Sequence, residues 1–113
     1  MYQVIEKDWK LFRRLLPGWQ EAYMERLTKE YMELLSSDRQ ASDKFWALDK
    51  RIKQDKRRTG VLVSGASRSN MFQLIINLIN EEAISEDDLK EFSESLRENI
   101  HVWLEIDRRY RDE

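Results

Sequence analysis

A chain of 113 residues with 41% hydrophobic and 11% aromatic residues is too rich in core formers for a disordered chain, and suffices for one modest core. Its formal net charge of −2 leaves no global field drawing it to nucleic acid. The absence of cysteine removes disulfides, thiolate metal sites and cysteine nucleophiles, and fits a reducing compartment.

No apolar run reaches the roughly 18–20 residues of a membrane span. The opening MYQVIEKDWK carries acidic residues where a signal peptide needs an apolar block. The expectation is a cytoplasmic protein, away from membranes, with one helical domain over residues 1–113. Its fold class is all-α: an irregular bundle of four or five helices with a short extended segment near residues 60–66.

Helical periodicity carries that expectation. Ile5, Trp9, Phe12 and Leu16 recur on one helix face. Pro17-Gly18 is expected to break or sharply turn this helix. From Trp19 the stripe restarts at i+4 through Tyr23, Leu27, Tyr31 and Leu35, widened by Met24, Met32 and Leu34. Ser36-Ser37-Asp38 supplies turn chemistry to end it. Ser42 is the expected N-cap of the next helix, with Asp43 in its first turn. Phe45, Leu48 and Ile52 mark its inner face and Trp46 its edge. Beyond Ile52 the apolar residues stop, so Lys53 to Arg58 is expected to project from the core or fray.

The segment TGVLVSGASRSN, residues 59–70, holds two of the three glycines. Its β-branched Val61-Leu62-Val63 suits an extended arm or a lone strand without a partner in this chain. Met71, Phe72, Leu74, Ile75, Ile76, Leu78 and Ile79 then make a helix apolar on nearly every side, which places it at the centre of the bundle. After a short connection at Asn80–Ala83, Ser85 with Asp88 resembles a capping box opening the last helix. Leu89, Phe92, Leu96, Ile100 and Trp103 are its expected inner face.

Charge is segregated around the central break. Asp49–Arg58, DKRIKQDKRR, sets six Lys/Arg against two Asp, whereas Glu81–Glu98 sets eight Asp/Glu against Lys90 and Arg97. A solvated face, or a basic segment paired with the acidic one inside the molecule, explains this as simply as a partner does. Nucleic acid is the further option, with Lys50, Arg51, Lys53, Lys56, Arg57 and Arg58 set along one helix edge to meet phosphates. Asp49 and Asp55 interrupt that patch, and residues 59–70 are too long for the turn of a helix-turn-helix.

Catalytic constellations are missing. His101 is the lone histidine, so neither a zinc site nor a Cys-His pair can be assembled around it. Acidic pairs such as Asp87/Asp88 sit where a helix dipole favours them. Asn80–Phe92 lacks the ligand spacing and glycine of a calcium loop. Ser64-Gly65-Ala66-Ser67 precedes a helix but lacks the Lys-Ser/Thr of a P-loop, which leaves a weak phosphate contact at Ser67, Arg68 and Ser69. No cofactor, metal ion or catalytic residue is expected.

Three stretches, LLPGWQEAYMERL, DKRIKQDKRRTGV and SRSNMFQLIINLINEEAISEDDLKEF, give the chain its resemblance to a group of short, uncharacterised bacterial helical proteins of unknown function. Where that group would carry an Asp-Gly turn, this sequence has Glu82-Ala83. The resemblance implies a compact bacterial protein and supplies no active site.

The functional expectation is a small non-enzymatic interaction or regulatory protein that binds another protein, with a homodimer as one form. Trp46, Lys53, Arg57 and Arg58 are the expected contact residues, and Glu86 and Asp87 a second patch. The alternatives are a nucleic-acid-binding accessory protein using Lys50–Arg58, and a small-molecule sensor with a pocket between helices.

Overall fold

A computed structural model describes residues 2–112. It contains four α-helices and no strand among the described residues: α1 Glu6–Leu35, α2 Ala41–Asp55, α3 Met71–Asn80 and α4 Glu94–Asp112, with a 3-10 turn at Glu86–Leu89. Residues 59–70 pass through turns and irregular backbone. No helix is long and apolar enough to cross a membrane.

The expected break at Pro17 does not occur. α1 runs through it for 30 residues. A helix-interior proline costs about 3 kcal/mol through its missing N–H and its clash with the preceding turn. An aromatic chain on the opposite face offsets that cost. Phe12 meets Trp19 edge-on at 6.3 Å, Trp9 stacks on Phe12 at 6.2 Å, and Trp19 lies 6.2 Å from Phe92. These contacts bridge both sides of the proline, while Pro17 and Gly18 are exposed.

α3 lies at the centre, as its composition requires: Met71, Ile75, Ile76 and Leu78 are inaccessible to solvent. Around it pack Trp9 and Phe12 of α1, Ile84, Leu89 and Phe92 of the connection, and Leu96, Ile100 and Leu104 of α4. α3 ends in a Schellman motif, with Ala83 N–H bonded to Leu78 O at 2.9 Å and Glu82 N–H to Ile79 O at 3.0 Å. The motif needs a left-handed residue, and Glu82 takes that role with φ 61°.

Ser85 and Asp88 do form a capping box, but it opens the 3-10 turn and not the long helix. α4 begins at Glu94, where Ser93 Oγ accepts from Leu96 N–H at 3.2 Å. Ser93 is fixed in turn by Asp8, which is 1% exposed. The Asp8 carboxylate accepts from Ser93 N–H at 2.9 Å, Ser93 O–H at 2.6 Å and Tyr2 O–H at 2.9 Å. One buried acid thus joins the N-terminal segment, α1 and the start of α4.

The molecule is not a compact sphere. Its radius of gyration is 16.7 Å and its extents are 52 × 36 × 22 Å, against about 13 Å for a compact chain of this length. The main core cluster draws on α1 only as far as Trp19, and Tyr23 and Leu27 are buried apart from it. The rest of α1, and all of α2, extend beyond it.

Candidate functional site

α2 is where the sequence expectation and the structure differ most. Ser42 does not cap it; the helix starts at Ala41 behind Gln40, without a side-chain cap. Phe45, expected on the inner face, is 64% exposed, and Trp46 is 65% exposed. Their rings meet edge-on with centroids 5.0 Å apart, so they form one aromatic knob. Leu48 and Ile52 are only half-buried, and Asp55 is the one fully buried residue of the helix. Two exposed aromatics side by side carry a solvation cost that packing within the chain does not relieve.

The far end of α2 is held firmly, by polar contacts. Asp55, 3% exposed, accepts from the Tyr31 phenol and faces Arg51 Nε at 3.7 Å and Arg58 Nε at 3.4 Å. Arg51 also reaches Glu30 at 3.0 Å and lies over the Tyr31 ring. Arg58 donates to the Tyr23 phenol at 2.8 Å. Burial, reinforced by the Asp55 hydrogen bond, pushes the Tyr31 phenol up to about 12. Just beyond α2, Glu81 receives Thr59 N–H and Gly60 N–H, each at 3.0 Å. Gly60 lies flat on the Tyr23 ring; a Cβ there would sit 2.5 Å from Tyr23 Cδ2. A polar cleft of about 200 Å³ opens among Tyr23, Arg26, Arg51, Asp55, Arg58 and Glu81. Arg51 and Arg58 face Asp55 across it, while Glu81 accepts backbone N–H groups and Arg26 donates to the Glu82 carbonyl.

Of the two expectations for Lys53–Arg58, the segment projects from the core and does not fray. This geometry also separates the expected contact residues. Trp46, Lys53 and Arg57 are exposed, whereas Arg58 is committed to Tyr23 and Asp55. Lys53 pairs with Asp49 at 3.0 Å. Trp46, Lys50 and Lys53 recur at i, i+4 and i+7, so one outward face of α2 carries an aromatic followed by two cations, with Arg57 in the turn just beyond the helix.

The second expected patch is part of a different contact. Glu86 meets His101 Nδ1 at 2.9 Å, and Glu105 meets His101 Nε2 at 3.1 Å. The hydrogen bond to Glu86, with the charges of Glu86 and Glu105, raises the His101 pKa. Asp87 is exposed beside it. The basic and acidic segments are not joined to each other by an ion pair among the described residues; within Lys50–Arg58, Arg51, Lys53 and Arg58 pair with Glu30, Asp49 and Asp55.

The proposed phosphate contact is also occupied. Arg68 binds Glu6 through two bonds of 2.8 and 2.7 Å and lies over the Trp9 ring. That pairing holds the Glu6 carboxyl below its ordinary value. Ser67 and Ser69 bond to each other at 3.1 Å, and Ser67 also to Asn70. Among the described residues no group of three His, Cys, Asp or Glu side chains could hold a metal ion. The chain matches no protein-family model, no curated protein and no solved structure.

Proposed function

We propose that the chain is a non-enzymatic interaction protein whose docking element is α2. The observation that carries the reading is the pairing of Phe45 and Trp46, about two-thirds exposed on a helix whose other end is fixed. Aromatic anchors entering a partner's pocket supply most of the energy of many interfaces. Lys50, Lys53 and Arg57 behind Trp46 favour a partner with an acidic rim and steer its approach. The partner chemistry that fits is a protein surface with an apolar pocket bordered by carboxylates.

Recovery of the tagged protein from its native cell after nuclease treatment tests this. A stoichiometric protein partner is expected, lost with Trp46→Ala while the circular dichroism and melting curve stay unchanged. Binding that survives joint alanine substitution of Trp46, Lys53 and Arg57 overturns the reading. Arg58 is left out of that set because its loss would also release Tyr23 and Asp55.

The unpaired Lys50, Lys56 and Arg57 favour a second reading, contact with nucleic acid. Three phosphate contacts would weaken binding about 40-fold between 50 and 200 mM salt. Binding with a flat salt dependence, or none to DNA or RNA, removes it.

A further inference from the structure

A second unpartnered face lies on α4, distinct from the α2 docking element. Leu96, Ile100 and Leu104 repeat every fourth residue and are buried. Beside them runs another stripe, Val102, Ile106 and Tyr110, again every fourth residue, with Trp103 between the two. All four of these residues are exposed, Ile106 at 47%. Trp103, expected on the inner face, therefore borders the outer stripe. Val102, Ile106 and Tyr110 contribute nothing to the core of this chain.

Charges along the edge of the stripe identify what covers it. Glu98 and Arg109 are eleven positions apart, about three helical turns, so both lie on the same edge. Neither has an ion-pair partner among the described residues. A two-fold axis in the contact plane and perpendicular to α4 brings two copies of the helix together antiparallel. It also keeps each edge of the stripe against itself. With the axis midway between Val102 and Ile106, Val102 of one copy meets Ile106 of the other. In that register Glu98 lies within about one residue of Arg109 of the second copy, and symmetry makes the contact twice. Val102 and Ile106 form the apolar contact in this register, Tyr110 reaches the level of Glu98 of the second copy, and the same operation pairs the two charges.

We infer that α4 is a homodimerisation surface, with Val102 and Ile106 packed antiparallel against their copies and closed by two Glu98–Arg109 pairs. The stripe runs about 12 Å from Val102 to Tyr110, less than the span of a standard interface, so the dimer belongs to the weak, reversible class. Because α2 takes no part, this dimer stands whether or not α2 binds a partner.

Sedimentation equilibrium of the full chain tests the inference, from about 5 µM to 1 mM at low salt. Wild-type protein is expected as a monomer–dimer equilibrium with a midpoint in the tens to hundreds of micromolar, the range for a small interface. Ile106→Asp, at an exposed position, is expected to be monomeric with an unchanged melting curve. Glu98→Arg and Arg109→Glu are each expected to weaken the dimer about tenfold by placing like charges opposite one another. An equimolar mixture of those two variants restores opposite charges at both contacts, and so is expected to dimerise like wild type. A wild-type chain that stays monomeric throughout overturns the inference. So does an Ile106→Asp dimer of undiminished strength, or a mixture no tighter than its two components.

Discussion

Asp55 sits where the Tyr31 phenol and two guanidiniums converge, and its carboxylate is what keeps them there. Tyr31, Arg51 and Arg58 all direct donors at it. Asp55→Ala would leave those donors without an acceptor at a buried point, which predicts a loss of about 2–4 kcal/mol in denaturant unfolding. An unchanged midpoint would mean the network contributes nothing net. In the sequence Asp55 reads as an interruption of a basic patch. The better signal was its position three residues after Ile52, on the inner stripe of α2. Glu82 carries the opposite lesson. A non-glycine residue held at φ 61° costs about 1 kcal/mol, so Glu82→Gly is expected to raise stability by about 0.5–1 kcal/mol, read by the same titration. The Arg26 bond to the Glu82 carbonyl uses backbone alone and survives that change.

Elements were legible where one periodicity ran unopposed. α3, and Leu96 and Ile100 on α4, follow from spacing, because burial on several sides demands unbroken apolar positions. α1 was misread at Pro17. Local backbone chemistry favours a break there by about 3 kcal/mol, and only the aromatic contacts from Trp9 to Phe92 reverse it. One of those contacts, Trp19 to Phe92, joins residues far apart in the sequence, so spacing alone could not weigh it. The capping box at Ser85 was a correct local reading with the wrong consequence, since Asp8 and Ser93 start the long helix instead.

The contact between the 3-10 turn and α4 also sets a pH dependence. His101 meets Glu86 and Glu105, with Glu94, Arg97 and Glu98 lining the same groove. Its folded pKa is raised above the ordinary value near 6.5. The stabilisation is therefore complete below that value and disappears as pH rises through the folded pKa. The melting-temperature difference between wild type and His101→Gln should be largest below the ordinary pKa near 6.5 and shrink as pH rises through the folded pKa. A difference independent of pH would assign His101 a packing role.

The whole molecule divides unevenly into a dry core and a projecting arm. α3 occupies the middle of the core, and Ile75→Asp would bury an unpaired charge there. Unfolding at room temperature is expected for that variant, from a penalty of several kcal/mol in a chain with a total stability of about 5–15 kcal/mol; a native circular dichroism spectrum would contradict it. The exposure of Phe45 was not legible, because its spacing with Leu48 and Ile52 matches that of a core stripe. Periodicity shows which side of a helix is apolar. Whether the same chain covers that side depends on where the elements end, and the main core cluster of this chain draws on α1 only as far as Trp19.

Thr59, Gly60 and Glu81 form the junction through which the arm is attached. Its bonds are polar and partly open to water, unlike the apolar contacts around α3. A unit held this way opens at a lower free energy than the body it is attached to. In deuterium, amides of α2 should therefore exchange through a local opening, well before those of α3, which wait for global unfolding. A protein built like this keeps its core folded while one helix is repeatedly released and regained. The helix that presents its aromatic pair to solvent is then fixed in the folded chain by bonds that open before those of the core.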